Sequence, residues 1–171
     1  MVEPLLHYLI PTLALLSFFP ERKRLILAIS PLAIVLDVDF ILKLHRWALH
    51  SVATALALTL LTYAVARRDS EKAGRFAAFA ALFLLSSHLL LDMGPPGIPL
   101  LWPITDDLYG VKLQFYTNPQ TLELNQTLDY TVSSLDSAQV SQKSPYLTNL
   151  GIGSALMVGI LLMVRCWHFR Y

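Results

Sequence analysis

Charged residues are what this sequence has least of. Only 15% of its 171 residues are Asp, Glu, Lys or Arg, whereas about 25% is usual for a soluble domain. The formal net charge is +1, which gives no reason to expect a nucleic-acid partner. The single cysteine, Cys166, excludes an intramolecular disulfide and a CxxC metal site.

Long apolar runs take the place of the missing charge. The chain is 55% hydrophobic and its mean hydropathy is +0.54. Several runs are near 20 residues long, which predicts helices that cross a membrane. We expect an all-α polytopic membrane protein, with residues 1–171 forming one membrane domain. The five predicted spans are residues 4–20, 25–42, 47–66, 76–93 and 149–167.

The basic residues predict how the chain is oriented. Most of the Lys and Arg residues lie between the first and second spans, between the third and fourth, and after the fifth. The positive-inside rule places all three regions in the cytoplasm, and simple alternation of the spans agrees. We therefore expect a multi-pass protein of the cell (inner) membrane, with the N-terminus outside and the C-terminus in the cytoplasm. These basic residues are Arg22, Lys23, Arg24, Arg67, Arg68, Lys72, Arg75, Arg165 and Arg170.

Residues 94–148 form a long external insert in this topology. It opens with GPPGIPLLWP, which is too rich in proline for a helix and predicts a turn at the membrane interface. VKLQFYTN and TLELNQTLDYTVSSL follow, and both partly alternate apolar with polar residues. This pattern predicts a small β-hairpin.

Histidines and aspartates concentrate at the outer ends of the first four spans. An Asp at the centre of a membrane helix costs about 2.5–3.5 kcal/mol, so these groups should face one another, water or a metal ion. Imidazole and carboxylate groups suit a divalent transition metal, with zinc as the first choice and manganese or iron as alternatives. We expect one or two ions. The predicted ligands are His7, Asp37, Asp39, His45, His50, His88 and Asp92.

Spacing along the chain supports part of this set. His88 and Asp92 are four residues apart, so one helix face can present both to one ion. Asp37 and Asp39 are two apart, which puts them on nearly opposite faces of a regular helix. Both could bind one ion only if the helix has ended or loosened there. The other solution is a site with two ions.

The order of these motifs resembles the YdjM-like family. His7 is followed by LDVD, HRWALHS and HLLLDMGPPGIPLLWP. The family is described as LexA-binding, inner-membrane-associated proteins of bacteria and archaea, with a metal-dependent hydrolase activity inferred from their motifs. Leu36 and Leu49 depart from the proline and threonine that the family often has. The resemblance covers residues 7–103 and extends to His7, Asp37, Asp39, His45, Arg46, His50, Ser51, His88, Asp92, Trp102 and Pro103.

Three further residues have predicted roles around the metal. Arg46 could clamp a phosphoryl oxygen of the substrate through its planar fork of donors, bind a lipid headgroup, or pair with an aspartate. Ser51 could hydrogen-bond to a metal ligand or bond within its own helix. Trp102 could contact the substrate or anchor the chain at the interface. Any of the carboxylates of Asp37, Asp39 and Asp92 that is free of metal could take a proton from water.

These residues predict a membrane-embedded metal-dependent hydrolase. Its site at headgroup depth favours an amphiphilic, lipid-like substrate, with a phosphoric ester as the first choice. The alternatives are a metal-ion or proton transporter, and a non-catalytic protein whose metal staples the bundle. Because the inner halves of the second to fourth spans carry no charge, a site at one face of the membrane is favoured over an ion pathway across it. The expected partners are the lipid bilayer and the substrate, and both monomer and dimer are open.

Overall fold

The computed structural model describes residues 4–42, 49–117 and 124–134. Its α-helices are α1 (Pro4–Phe18), α2 (Lys23–Ile29), α3 (Val52–Ala66) and α4 (Glu71–Asp92). Short 3-10 helices cover Pro20–Arg22, Ser30–Ala33 and Val35–Leu42. Strands β1 (Asp107–Thr117) and β2 (Leu124–Ser134) form one antiparallel sheet. The predicted helical architecture with a small hairpin is therefore confirmed.

Helix α4 is the central element. Ser70 caps its N-terminus, because the Ser70 Oγ accepts a hydrogen bond of 3.1 Å from the Ala73 N–H. Its buried residues recur every three to four positions, which creates one inward stripe. Two apolar clusters meet on this stripe, one around Leu84 and one around Leu85. The clusters extend from α4 to α1, α2, α3 and the 3-10 helices.

The second predicted span is not one continuous helix. Helix α2 ends at Ile29, and two 3-10 helices follow it as far as Leu42. Pro31 explains the break, because proline has no N–H to donate and its ring clashes with the carbonyl four residues earlier. Asp37 and Asp39 thus lie in a 3-10 helix. The helix has therefore loosened at these aspartates, while the number of ions that they bind stays a prediction.

Helix α3 begins at Val52, five residues later than predicted. Ser51 is its N-cap, and the Ser51 Oγ accepts from the Thr54 N–H at 3.2 Å. The Val52 N–H donates to the Leu100 carbonyl at 2.9 Å. His50 therefore lies just before the helix. The Ser51 cap and the hydrogen bond from Val52 to the loop after α4 hold the backbone there.

The hairpin confirms the alternation seen in the sequence. Its register runs from Asp107 opposite Ser134 to Thr117 opposite Leu124. Backbone hydrogen bonds join Ile98 to Tyr109 in both directions. Gly97 has a φ of 104°, and a Cβ there would lie 2.8 Å from the Tyr109 carbonyl, so this close approach requires glycine. The hairpin and α3 together hold the loop after α4 in place.

The distribution of polarity differs from that in a soluble protein. Large apolar side chains face outward, with Leu60 68% and Leu90 69% exposed, while His7, His50 and His88 lie inside. Among the described residues, Glu71–Asp92 is the one helix both long and apolar enough to cross a membrane. Leu5–Phe18 and Val52–Ala66 are shorter apolar helices. Five spans stay a prediction, and the span at 149–167 lies outside the described residues.

Candidate metal centre

Four elements bring ionisable side chains together at one end of the helices. His88 and Asp92 occupy the last turns of α4, and His7 lies in the first turns of α1. Asp37 comes from the 3-10 helix after the Pro31 break, and His50 immediately precedes the N-cap of α3. At most 1% of each residue is exposed, except for Asp37, whose side chain is 16% exposed.

Four of these residues could hold one ion. They are Asp37, His50, His88 and Asp92, and each offers one ligand atom within 4.8 Å of the other three. His50 Nε2 lies 3.3 Å from His88 Nε2 and 3.2 Å from Asp92 Oδ2. Asp37 Oδ1 lies 3.7 Å from His50 Nε2 and 3.6 Å from His88 Nε2. His88 Nε2 and Asp92 Oδ2 are 3.8 Å apart.

These separations suit a tetrahedral site. Bonds of about 2.0–2.1 Å to a central ion imply edges of about 3.3–3.4 Å between ligand atoms. Five of the six edges run from 3.2 to 3.8 Å, and the sixth, between Asp37 and Asp92, is at most 4.8 Å. Two imidazoles and two carboxylates are also a donor set that divalent transition metals accept. The residues present therefore fit a metal ion such as Zn²⁺.

The His88 ring is already oriented for this role. Its Nδ1 lies 2.7 Å from the Ala33 carbonyl oxygen. Because a carbonyl can only accept a hydrogen bond, His88 Nδ1 carries the proton, and a neutral ring then has a lone pair on Nε2. That Nε2 is the atom that faces the other ligand atoms. Metal-binding histidines usually have such an outer hydrogen-bond partner.

His7 lies beside this group on the second oxygen of Asp92. His7 Nε2 is 3.5 Å from Asp92 Oδ1, whereas Asp92 Oδ2 is the oxygen nearest His50. The His7 and His88 ring centroids are 4.3 Å apart. The geometry places His7 where it can orient the Asp92 carboxylate. Direct ligation by His7 stays a prediction.

The burial of two carboxylates gives an electrostatic reason for a cation. A buried charge is costly unless it is paired and hydrogen-bonded. Asp37 Oδ2 is buried and has no hydrogen-bond partner in the described part of the chain. A divalent cation would neutralise the carboxylates of Asp37 and Asp92 and would accept the lone pairs of the two imidazoles.

The remaining predicted site residues are placed as follows. Ser51 bonds within its own helix as the N-cap, one of its two predicted behaviours. Trp102 is half-buried in the turn between the loop after α4 and the hairpin, so its contact with substrate stays a prediction. The side chain of Asp39, and His45 and Arg46 entirely, lie outside the described residues.

Sequence reasoning did not find one component of the site, the Ala33 carbonyl. A backbone atom has no residue-type signal, so a search for His and Asp could not reveal it. The available signal was Ser30-Pro31 inside an apolar run, since proline within a predicted helix marks a break. A break changes which carbonyl groups are free to accept hydrogen bonds.

An apolar exterior around a buried His/Asp cluster defines an integral membrane protein with a candidate metal centre. A family model described as YdjM inner membrane protein matches residues 8–168. The chain therefore belongs to the YdjM family of inner membrane proteins, and the resemblance seen in its motifs is confirmed. Searches of curated proteins and of solved structures found no match.

Proposed function

We propose that this protein is a membrane-embedded, metal-dependent hydrolase. The observation that supports the proposal is the grouping of four ligand atoms from Asp37, His50, His88 and Asp92 within 4.8 Å of one another. Intramembrane His and Asp residues are costly, and they commonly mark a functional site. The metal ion is divalent, with zinc as the first choice.

Each residue has a role in this proposal. His50, His88 and Asp92 would hold the ion, which leaves one position for water, as in catalytic metal sites. Asp37 would lie beside the ion without binding it, and His7 would hold the second oxygen of Asp92. A bound divalent ion supplies Lewis acidity and an activated water. Of the two carboxylates in the group of four, Asp37 is the more exposed, with its side chain 16% exposed against 1% for Asp92. Asp37 Oδ2, or the predicted base Asp39, would take the proton of the attacking water.

The surroundings of the site favour an amphiphilic substrate. Leu90, at the same end of α4 as the ligands, is 69% exposed. Leu101 and Ile104, in the turn that follows the loop after α4, are 41% and 84% exposed. A lipid-like molecule could keep its chains against this apolar surface while its headgroup reaches the ion. Arg46 remains the predicted clamp for a phosphoric ester, and Trp102 a predicted substrate contact.

The interior beyond the site supports a site at one face over a transport path. On the other side of Ala33, the described core consists of Leu15, Ile26, Ala80 and Leu84, all at most 2% exposed. Thr12 and Ser30 are buried polar residues there, but neither is ionisable. A pathway for ions needs polar steps that continue to the opposite face.

The proposed topology places the site at the outer face. The basic residues Arg67, Arg68, Lys72 and Arg75 lie at the end of α3 and the start of α4, opposite His88 and Asp92. In a Cys166→Ser background, Arg22→Cys and Ser70→Cys should be protected from an impermeant thiol reagent added outside. Asn125→Cys should be labelled. Labelling of Ser70→Cys from outside would place the site at the cytoplasmic face.

The enzyme proposal is tested on detergent-purified protein. Metal content is measured first, and hydrolysis of phosphodiester and phospholipid substrates is then followed with and without a chelator. Activity should disappear on chelation and return when Zn²⁺ or Mn²⁺ is added back. A protein that holds metal but hydrolyses none of these esters would instead support the non-catalytic, metal-stapled alternative.

The choice of a phosphoric ester depends on Arg46. Arg46→Lys keeps the charge but loses the planar fork. We expect the variant to keep its metal and its thermal stability, while turnover falls by about tenfold or more, because one preorganised donor is lost. Parallel losses of metal and stability would show a salt bridge to an aspartate. Near-normal turnover would remove the main reason for preferring a phosphoric ester.

A further inference from the structure

The break after α2 has a substitute for the hydrogen bond that proline removes. In a regular helix, residue 31 would donate its N–H to the Leu27 carbonyl, and Pro31 cannot. The Ser30 hydroxyl donates to that carbonyl instead, at 2.9 Å. The Tyr8 hydroxyl of α1 lies 2.9 Å from Ser30 Oγ, and it must be the donor because the Ser30 proton is already used. Ser30 itself is fully buried.

The hydrogen bonds after the break shift from four-residue to three-residue spacing. The Ile34 N–H donates to the Pro31 carbonyl, and the Asp37 N–H donates to the Ile34 carbonyl, both at 3.1 Å. In an α-helix the Asp37 N–H would instead occupy the Ala33 carbonyl. Where the two 3-10 helices meet, the Asp37 N–H is thus taken up by Ile34 instead of Ala33, and His88 Nδ1 donates to the Ala33 carbonyl at 2.7 Å.

We propose that Tyr8, Ser30 and Pro31 are positioning residues for the metal centre. They maintain the break that presents the Ala33 carbonyl to His88, and this carbonyl holds the His88 ring with its proton on Nδ1. This inference deepens the proposed function and rests on it, since it concerns the same centre.

The tautomer matters because a neutral imidazole has only one N–H. A proton on Nε2 would point into the ligand group and block that nitrogen as a ligand. The Ala33 carbonyl favours the other tautomer before any metal arrives. His88 Nε2 is then free to bind, 3.3 Å from His50 Nε2 and 3.6 Å from Asp37 Oδ1.

The experiment compares Pro31→Ala, Ser30→Ala and Tyr8→Phe with a matched control. The control is Thr59→Ala, because the Thr59 hydroxyl donates to the Ala55 carbonyl at 2.8 Å in α3, away from the break. Affinity for Zn²⁺ is measured by competition with a chromophoric chelator. The His88 tautomer is measured in the metal-free protein by ¹⁵N NMR, with His88→Gln used for assignment.

We expect Pro31→Ala to lower the affinity for Zn²⁺ by about 10–100-fold, which is typical for loss of an outer partner of a metal-binding histidine. Its His88 signal should change from the Nδ1–H form toward a mixture of tautomers. Ser30→Ala and Tyr8→Phe should cause smaller changes in the same direction, because each removes one support of the break. Thr59→Ala should leave both measurements at their wild-type values.

Unchanged Zn²⁺ affinity and tautomer in Pro31→Ala and Ser30→Ala would overturn the inference. A loss of affinity with the wild-type tautomer would overturn it too, since the break would then act on Asp37 alone. If Pro31→Ala fails to fold, Ser30→Ala and Tyr8→Phe decide by the same two criteria. If the wild-type protein binds neither Zn²⁺ nor Mn²⁺, the proposed function fails, and the tautomer still decides whether the break positions His88.

Discussion

Helix α4 and the segment from Lys23 to Leu42 both supply the candidate metal centre, but by opposite means. Helix α4 is regular from Glu71 to Asp92, and it presents two side chains at four-residue spacing. The other segment changes from α-helix to 3-10 helix, and it supplies the Asp37 side chain and the Ala33 carbonyl. A regular helix can offer only side chains, because its own hydrogen bonds occupy the interior carbonyls. A broken helix can also offer its backbone.

Such a break has a cost inside a membrane, where no water is present to satisfy a free carbonyl. Here two of the carbonyls affected by the break have side-chain partners. The Leu27 carbonyl accepts from the Ser30 hydroxyl, and the Ala33 carbonyl accepts from His88. The second of these hydrogen bonds also joins the break to the metal centre.

The largest expected effect on metal binding comes from removing a carboxylate, either from α4 or from the 3-10 segment. Asn has nearly the shape of Asp but no charge, so Asp92→Asn should lose stoichiometric Zn²⁺. The loss of affinity should exceed the ~100-fold upper range for outer partners. Asp37→Asn should lose less, because Asp37 is 16% exposed whereas Asp92 is 1% exposed. Elemental analysis measures both.

The matched control for these variants is the exposed residue Asp106, since Asp106→Asn makes the same chemical change away from the site. It should keep wild-type metal content. Full metal retention in both Asp92→Asn and His88→Ala would show that α4 supplies no ligands.

Metal removal should affect α4 and the 3-10 segment differently. At a free ion concentration of 100 times Kd, binding stabilises the folded state by ~2.7 kcal/mol, so a chelator should lower Tm measurably. Hydrogen exchange should then increase more in residues 30–42 than in α4, because the 3-10 segment has poorer hydrogen-bond geometry. Equal increases in both elements would mean that the 3-10 segment is no less stable than α4 without metal. Asp92→Asn, treated with chelator in the same way, is the control.

His7 should show an intermediate effect. His7→Gln removes the imidazole that lies 3.5 Å from Asp92 Oδ1 and should lower Zn²⁺ affinity by ~10-fold, at the low end for an outer partner. The chelator competition assay measures it. A loss as complete as that in Asp92→Asn would instead make His7 a direct ligand, as its position in the sequence predicts.

The smallest expected effect is at Thr12, a buried residue of α1 that is 3% exposed. Thr12 Oγ1 has no hydrogen-bond partner within the described ranges. Replacing an unpartnered hydroxyl with a methyl group is nearly neutral or stabilising, so Thr12→Val should change the unfolding free energy by less than ~1 kcal/mol. Ser30→Ala should destabilise more, because it leaves the Leu27 carbonyl unsatisfied. Thermal unfolding in detergent compares the stability of the two variants. Equal losses of stability would contradict the prediction.

The sequence by itself determined the features that depend on local periodicity and residue type. The apolar runs predicted helices, and four-residue spacing placed His88 and Asp92 on one face of α4. Alternation over residues 111–118 and 121–135 predicted the hairpin, whose strands are Asp107–Thr117 and Leu124–Ser134. Each of these follows from a fixed number of residues per turn or per pleat. The clustering of His and Asp near one membrane face was also visible from the sequence.

Only the tertiary structure decided which residues share one site and what orients them. Periodicity says which face a residue occupies, but it does not say which neighbour that face meets. The grouping of Asp37 with His50, and the place of His7 beside Asp92, depend on how four elements pack. Pro31 signals a break in the sequence, but the partner of the Ala33 carbonyl is His88, which lies 55 residues later. A hydrogen bond across that distance is determined by packing, because no local pattern records it.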